Sequence, residues 1–157
     1  MRRKMKNDLQ LKHELYAKCV DFVEDRYAKI QNQIYDIQES LSSETKSSAG
    51  DKYETGRAML QLEREKAGQQ LAEVEKLKAT LSKIDVTKSS EIIGLGSVVF
   101  TTKANYFMAI SAGQITVNSQ LFFAISPNTP IGLLLMGKTF RDAIVFRDSK
   151  FVIESVG

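Results

Sequence analysis

The stretch Tyr16-Ala17-Lys18-Cys19-Val20-Asp21-Phe22-Val23-Glu24-Asp25-Arg26-Tyr27-Ala28-Lys29-Ile30-Gln31-Asn32-Gln33-Ile34-Tyr35-Asp36-Ile37-Gln38-Glu39-Ser40-Leu41 decides how this chain folds. Within it Tyr16, Val20, Val23, Tyr27, Ile30, Ile34, Ile37 and Leu41 recur at spacings of 4-3-4-3-4-3-4. A mean period of 3.5 held for nearly four heptads predicts a helix whose apolar seam packs on another helix. At 1.5 Å per residue, a helix over residues 8–43 is about 50 Å long. The pattern stops in the small polar run Ser42 to Gly50, which suits a turn. A looser apolar stripe follows: Leu60, Ala67, Leu71, Val74, Leu77, Leu81 and Ile84. Two helices joined by a short polar loop pack most simply as antiparallel neighbours. No third helix of that length follows, so the hairpin is expected to project as a finger with its tip near Ser48–Thr55.

Composition changes sharply beyond this hairpin. Residues 1–85 carry 31 charged side chains, no proline and three glycines, whereas residues 86–157 carry 10 charged side chains, both prolines and six glycines. The shift places an architectural boundary at Asp85-Val86-Thr87-Lys88-Ser89-Ser90 and predicts two domains, 1–85 and 86–157. The second part has strand character at 97–102, 105–110, 114–117, 121–125, 143–147 and 150–154, all rich in β-branched and aromatic residues. Asp148-Ser149 suits a tight hairpin between the last two. One short helix is expected, capped by Asn128 or Thr129, with Pro130 in its first turn and Gly137 at its end. The prediction is an α+β chain: an antiparallel coiled-coil hairpin, then a small antiparallel sheet covered by one short helix.

Charge and composition exclude several functions. Twenty-two Lys and Arg against 19 Asp and Glu leave a net charge of +3, too balanced for a protein that grips nucleic acid by bulk charge. One cysteine, Cys19, excludes an internal disulfide framework, and one histidine, His13, excludes a zinc site of several Cys and His. The densest apolar run, Ile131 to Met136, is far short of a membrane span, and the basic N-terminus does not lead into an apolar leader core. A cytoplasmic protein is expected. Cys19 reads as packing, Tyr16 and Tyr27 as core, and His13 as a surface residue without a catalytic constellation around it.

Three places in the chain, in order, resemble the Gre-type transcript cleavage factors of bacterial RNA polymerase. The tip Gly50-Asp51-Lys52-Tyr53-Glu54 is similar to the family's Gly-Asp-x-x-Glu. The joint Ile84-Asp85-Val86-Thr87-Lys88 with Leu95-Gly96-Ser97-Val98-Val99 resembles its linker and first sheet strand. Ile125-Ser126-Pro127-Asn128-Thr129-Pro130, followed by Gly137-Lys138, resembles its Ile-Ser-x-x-Ser-Pro helix start and Gly-Lys. The resemblance implies a coiled-coil finger followed by an FKBP-like sheet domain. It also implies a monomeric, non-enzymatic factor that enters the polymerase secondary channel and reaches the RNA 3′ end. There Asp51 and Glu54 would help hold a magnesium ion shared with the polymerase, which then hydrolyses its own backtracked RNA. Two carboxylates suit that task, because magnesium takes hard oxygen ligands and a two-metal site steadies both the attacking and the leaving oxygen. Asn128, Thr129 and Pro130 stand where the family contacts the rim of the channel.

Each of these groups has a plainer reading. Asp51 and Glu54, three apart, also fit a helix-start capping pattern, and Asn128-Thr129-Pro130 fits a cap followed by proline. After Glu54 this chain continues Thr55-Gly56-Arg57-Ala58 where the family has Asn-Ala-Glu-Tyr. A factor that occupies the channel without promoting cleavage therefore stays open. So does a coiled-coil adaptor or chaperone-like module that holds another protein.

Overall fold

The computed structural model describes residues 2–46 and 50–157, with side chains for residues 9–43 and 54–157. Two long helices open the chain, α1 (Arg2–Lys46) and α2 (Gly50–Ser82). Six strands and one short helix follow: β1 (Val98–Thr101), β2 (Asn105–Met108), β3 (Gly113–Val117), β4 (Gln120–Ile125), α3 (Pro130–Leu135), β5 (Ala143–Phe146) and β6 (Ser149–Val156). Packing divides the chain into two compact units, residues 23–78 and residues 1–22 together with 79–157. Each long helix contributes to both, and the compositional boundary at 85/86 falls inside the second of these units.

In the unit of residues 23–78 the two helices pack antiparallel. Val23, Ile30, Ile34 and Ile37 of α1 are buried, as are Ala67 and Val74 of α2. The Lys78 ammonium lies 3.5 Å from the Glu24 carboxylate and 3.8 Å above the Tyr27 ring. That ion pair is exposed and contributes little. Burial of the aliphatic seam carries the pairing, at about 1.5–3 kcal/mol per fully buried large side chain. Tyr27 is half-buried and its oxygen accepts a hydrogen bond from Gln31 Nε2 at 2.9 Å.

In the other unit, the first part of α1 buries Leu11, Leu15 and Cys19, a stripe of spacing four that lies one residue off the seam expected through Tyr16 and Val20. Tyr16 is half-buried and donates its hydroxyl to the Leu81 carbonyl at 3.1 Å. The six strands form one sheet in the order β3-β4-β2-β1-β6-β5. The sheet is mixed, which corrects the expected antiparallel arrangement: β2 and β4 run parallel, with Tyr106 opposite Phe123 and Met108 opposite Ile125. The loop 109–112 carries the chain past the position next to β2, and Ala109 N–H donates to Ile125 O at 2.8 Å. The β3–β4 hairpin then brings β4 back into the gap. The burial patterns explain the choice. In β4, Phe122 and Ala124 are buried and Phe123 and Ile125 half-buried, so both faces need cover. In β3, Gln114 and Thr116 are exposed, as suits an edge.

One face of the sheet holds Val99, Met108, Ile144, Phe151 and Ile153, closed over by Leu135 of α3 and by Ile93. Alternation along the strands puts Phe107 and Phe122 on the other face, where Phe100 meets Phe122 edge-on at 5.7 Å. Both two-residue hairpins turn through left-handed residues, Asn118 and Ser119 (φ 51 and 64) and Arg147 and Asp148 (φ 48 and 65). The tight turn expected at Asp148-Ser149 thus sits one residue earlier, because Phe146 pairs with Ser149.

Candidate functional site

The two acidic residues singled out at the tip fall at the start of α2. Only three residues, 47–49, separate α1 from α2, and they lie outside the described residues. The Asp51 side chain also lies outside them. Its backbone is in the first turn of α2, and Glu54 follows in the same helix with an exposed side chain. Negative charge there is favoured by the positive end of the helix dipole. Among the described residues no group of three or more His, Cys, Asp or Glu is arranged to hold a metal ion. Two carboxylates, those of Asp51 and Glu54, are too few oxygen ligands to hold a magnesium ion by themselves.

Asn128, Thr129 and Pro130 form the start of α3 at the end of β4. Thr129 is the cap, with extended backbone (φ −74, ψ 159). Its hydroxyl accepts from Gly132 N–H at 3.1 Å and donates to Ser126 O at 2.8 Å. Pro130 occupies the first turn, where its missing N–H costs nothing. Asn128 is exposed, and its N–H donates to Ser126 Oγ at 3.2 Å. A methyl group on Gly132 would stand 2.3 Å from Ser126 O, so only glycine lets this turn close so tightly. The Thr129 hydroxyl is committed to the cap in both directions. What the segment offers to solvent is the Asn128 amide and the Pro130 ring.

The joint between α2 and the sheet has a feature that motif reading missed. Lys12 is buried, and its ammonium donates to Lys88 O at 2.7 Å. Burial pushes the Lys12 pKa below its usual value, and the nearby Asp85 carboxylate works against that shift. Asp85 accepts from the Thr87 hydroxyl at 2.5 Å and from Thr87 N–H at 3.0 Å, and these bonds hold its pKa below the ordinary value. Ile84 packs beside Gly96, whose φ of +91 excludes most side chains and where a methyl would lie 3.0 Å from Ile84 Cγ2. The signal for Lys12 was its place in the stripe Leu11, Leu15, Cys19, but a lysine within an apolar face reads first as an interruption.

No catalytic constellation accompanies the other candidates. His13 is exposed. Cys19 is buried, and burial pushes its thiol up to about 12, which leaves it unreactive at neutral pH. The cleft lined by Leu11, Val98, Phe100, Glu154, Ser155, Val156 and Gly157 has Glu154 as its one acidic side chain and holds no histidine, cysteine or lysine to complete a catalytic or metal-ligand set. No helix among the described residues is long and apolar enough to cross a membrane. Compared with models of protein families, with characterised proteins and with solved structures, the chain matches none of them.

Proposed function

We propose that this protein binds the secondary channel of a bacterial RNA polymerase and stimulates cleavage of backtracked RNA, without being an enzyme itself. The observation that carries this reading is the placement of Gly50-Asp51-Lys52-Tyr53-Glu54 at the start of α2, three residues after α1 ends, on an antiparallel helix pair. In this reading the sheet unit is the FKBP-like docking part. Asn128 and Pro130 face the rim of the channel, and the Thr129 cap holds them in place. Asp51 and Glu54 help to bind the magnesium ion shared with the polymerase and to orient the attacking water. The polymerase supplies the remaining ligands and carries out the hydrolysis.

The test is co-purification with core polymerase followed by cleavage of a stalled, backtracked complex. Asp51→Ser keeps a residue that caps helices about as well, yet it cannot give magnesium a carboxylate. Glu54→Gln keeps the shape and removes the charge. Both variants are expected to bind and neither to stimulate cleavage. If the wild type binds but never stimulates cleavage, the protein is a non-cleaving regulator of the channel. If Asp51→Ser is as active as the wild type, Asp51 has no catalytic part.

A second reading draws on one observation. Tyr35, Met59 and Leu62 are large apolar residues exposed on the helices of residues 23–78. An adaptor that holds another protein would use such side chains. Failure to co-purify with polymerase, together with loss of a different bound protein in Tyr35→Ser or Leu62→Ser, would favour it.

A further inference from the structure

Between the end of α2 and the start of β1, residues 83–97 form neither helix nor strand. This connection is fixed at both ends. Ile84 packs beside Gly96. Ile93 is buried in the core, its N–H donating to Lys138 O at 2.8 Å and its carbonyl accepting from Gly137 N–H at 2.9 Å. The strap between them, residues 85–92, is held more loosely. All of its residues are exposed except Val86, which is half-buried. Among the described residues two hydrogen bonds tie it to the rest of the chain. Thr139 Oγ1 donates to Glu91 O at 2.9 Å, and Lys12 Nζ donates to Lys88 O at 2.7 Å. The bonds of Thr87 N–H to Asp85 Oδ1 and of Lys88 N–H to Asp85 O stay within the strap. A segment with little buried apolar surface and few tertiary bonds belongs to the low-stability end of a fold.

The tie from Lys12 carries a cost of its own. Lys12 is the one charged side chain buried among the described residues, at 5% exposure. Taking an ammonium out of water costs more than one hydrogen bond to a neutral carbonyl returns. Asp85 is the acid whose charge favours the ammonium, but it is exposed, so solvent weakens its pull. Closing the strap onto Lys12 therefore meets a penalty that an apolar side chain of the same length would not. Opening it returns the ammonium to water, and the Lys88 and Glu91 carbonyls exchange protein donors for water.

We propose that residues 85–92 are a strap poised to open over Lys12, and that the buried ammonium keeps its closed and open forms close in free energy. The strap opens by itself, while Ile84, Ile93 and the sheet stay packed, and opening exposes the Lys12 amine. This is a property of the chain alone and does not rest on polymerase binding.

Acetylation of the full chain with N-hydroxysuccinimidyl acetate, followed residue by residue by mass spectrometry, tests the strap without any substitution. Lys18 is exposed and is expected to react first. Lys12 is expected to react about tenfold more slowly or less, at a rate that low urea hardly changes, because strap opening exposes little surface. Lys12 acetylation that rises with urea as steeply as amide exchange in β1 and β6 overturns the proposal, since the amine is then reached only by global unfolding. So does a Lys12 that reacts as fast as Lys18. A second measurement turns on the sign of an effect. Lys12→Met keeps the length and removes the charge, so exchange of the Thr87 and Lys88 amides should slow about tenfold, more than any change in β1 and β6. Were Lys12 only a tie, losing its hydrogen bond would speed those amides instead. Faster or unchanged exchange in Lys12→Met overturns the proposal, and the acetylation measurement stands whatever the substitution does to folding.

Discussion

Residues 23–78 and the sheet unit achieve burial by opposite routes. In the helix pair, each buried residue meets neighbours one turn away and partners directly across the seam, so packing repeats along one dimension. In the sheet, Val99 pairs with Tyr106 and with Val156, and Leu135 closes over strands drawn from both halves of the unit. The first arrangement yields locally when a residue changes. The second spreads damage through a core assembled from distant parts of the chain, which is the expected signature of non-local contacts.

The contrast between the two units can be tested by substitution and by pH. Leu15 is fully buried in the sheet unit and Ile34 is buried, at 7% exposure, in the helix pair, and either change to Ala is expected to cost about 2–5 kcal/mol. Leu15→Ala should lower the unfolding temperature reported by residue-resolved amide signals of β1, β2 and β6, whereas Ile34→Ala should leave that transition in place. An equal shift from both would mean that the two units unfold as one. The second experiment compares two glycines. Gly132→Ala forces a methyl against the Ser126 carbonyl and should destabilise the sheet unit by about 2–3 kcal/mol in denaturant. Gly68→Ala meets only the end of the Arg64 side chain at 3.3 Å. It should stabilise α2 by up to about 1 kcal/mol through helix propensity.

Smaller effects test the caps and the joint. Thr129→Ala removes the acceptor for Gly132 N–H and should cost about 1 kcal/mol, with Thr129→Ser restoring most of it. The pH profile reports on the joint. Asp85 has a lowered pKa in the folded chain, so its contribution is present above its ordinary value of 3.8 and is lost as pH falls through the lower folded value. Asp85→Asn should remove that acid-side loss. Lys12 also has a lowered pKa, and its charged form is the one burial penalises, so stability should rise as pH climbs from the folded pKa toward 10.5. Lys12→Met should flatten that alkaline rise, and an unchanged profile would show that the Lys12 ammonium is not buried in solution.

The seam at Val23, Ile30, Ile34 and Ile37 was legible because a period of 3.5 is a local property, visible without knowledge of any partner. The six strands and the Thr129-Pro130 helix start were legible for the same reason. Cys19 was legible as packing beside the seam, whereas Leu11 and Leu15 were passed over because α1 there buries a different side from the one it presents along the seam. Of the proposed site, Glu54 and Asn128 stand exposed, while Thr129 turned out to be held by its own turn. Asp51 keeps its place in the first turn of α2.

The order of residues alone was enough to tell which segments are helix and which are strand, and to place the turns to within a residue. Side-chain spacing, β-branching and capping chemistry act over a few residues and need no tertiary partner. That β4 lies between β2 and β3, parallel to one and antiparallel to the other, follows from long-range packing. So do the contact of Lys12 with the carbonyl of Lys88 and the place of β3 at the edge of the sheet. Those outcomes depend on which surfaces remain to be covered once the local elements exist. That is a competition among distant segments, and no window of the sequence contains all the competitors.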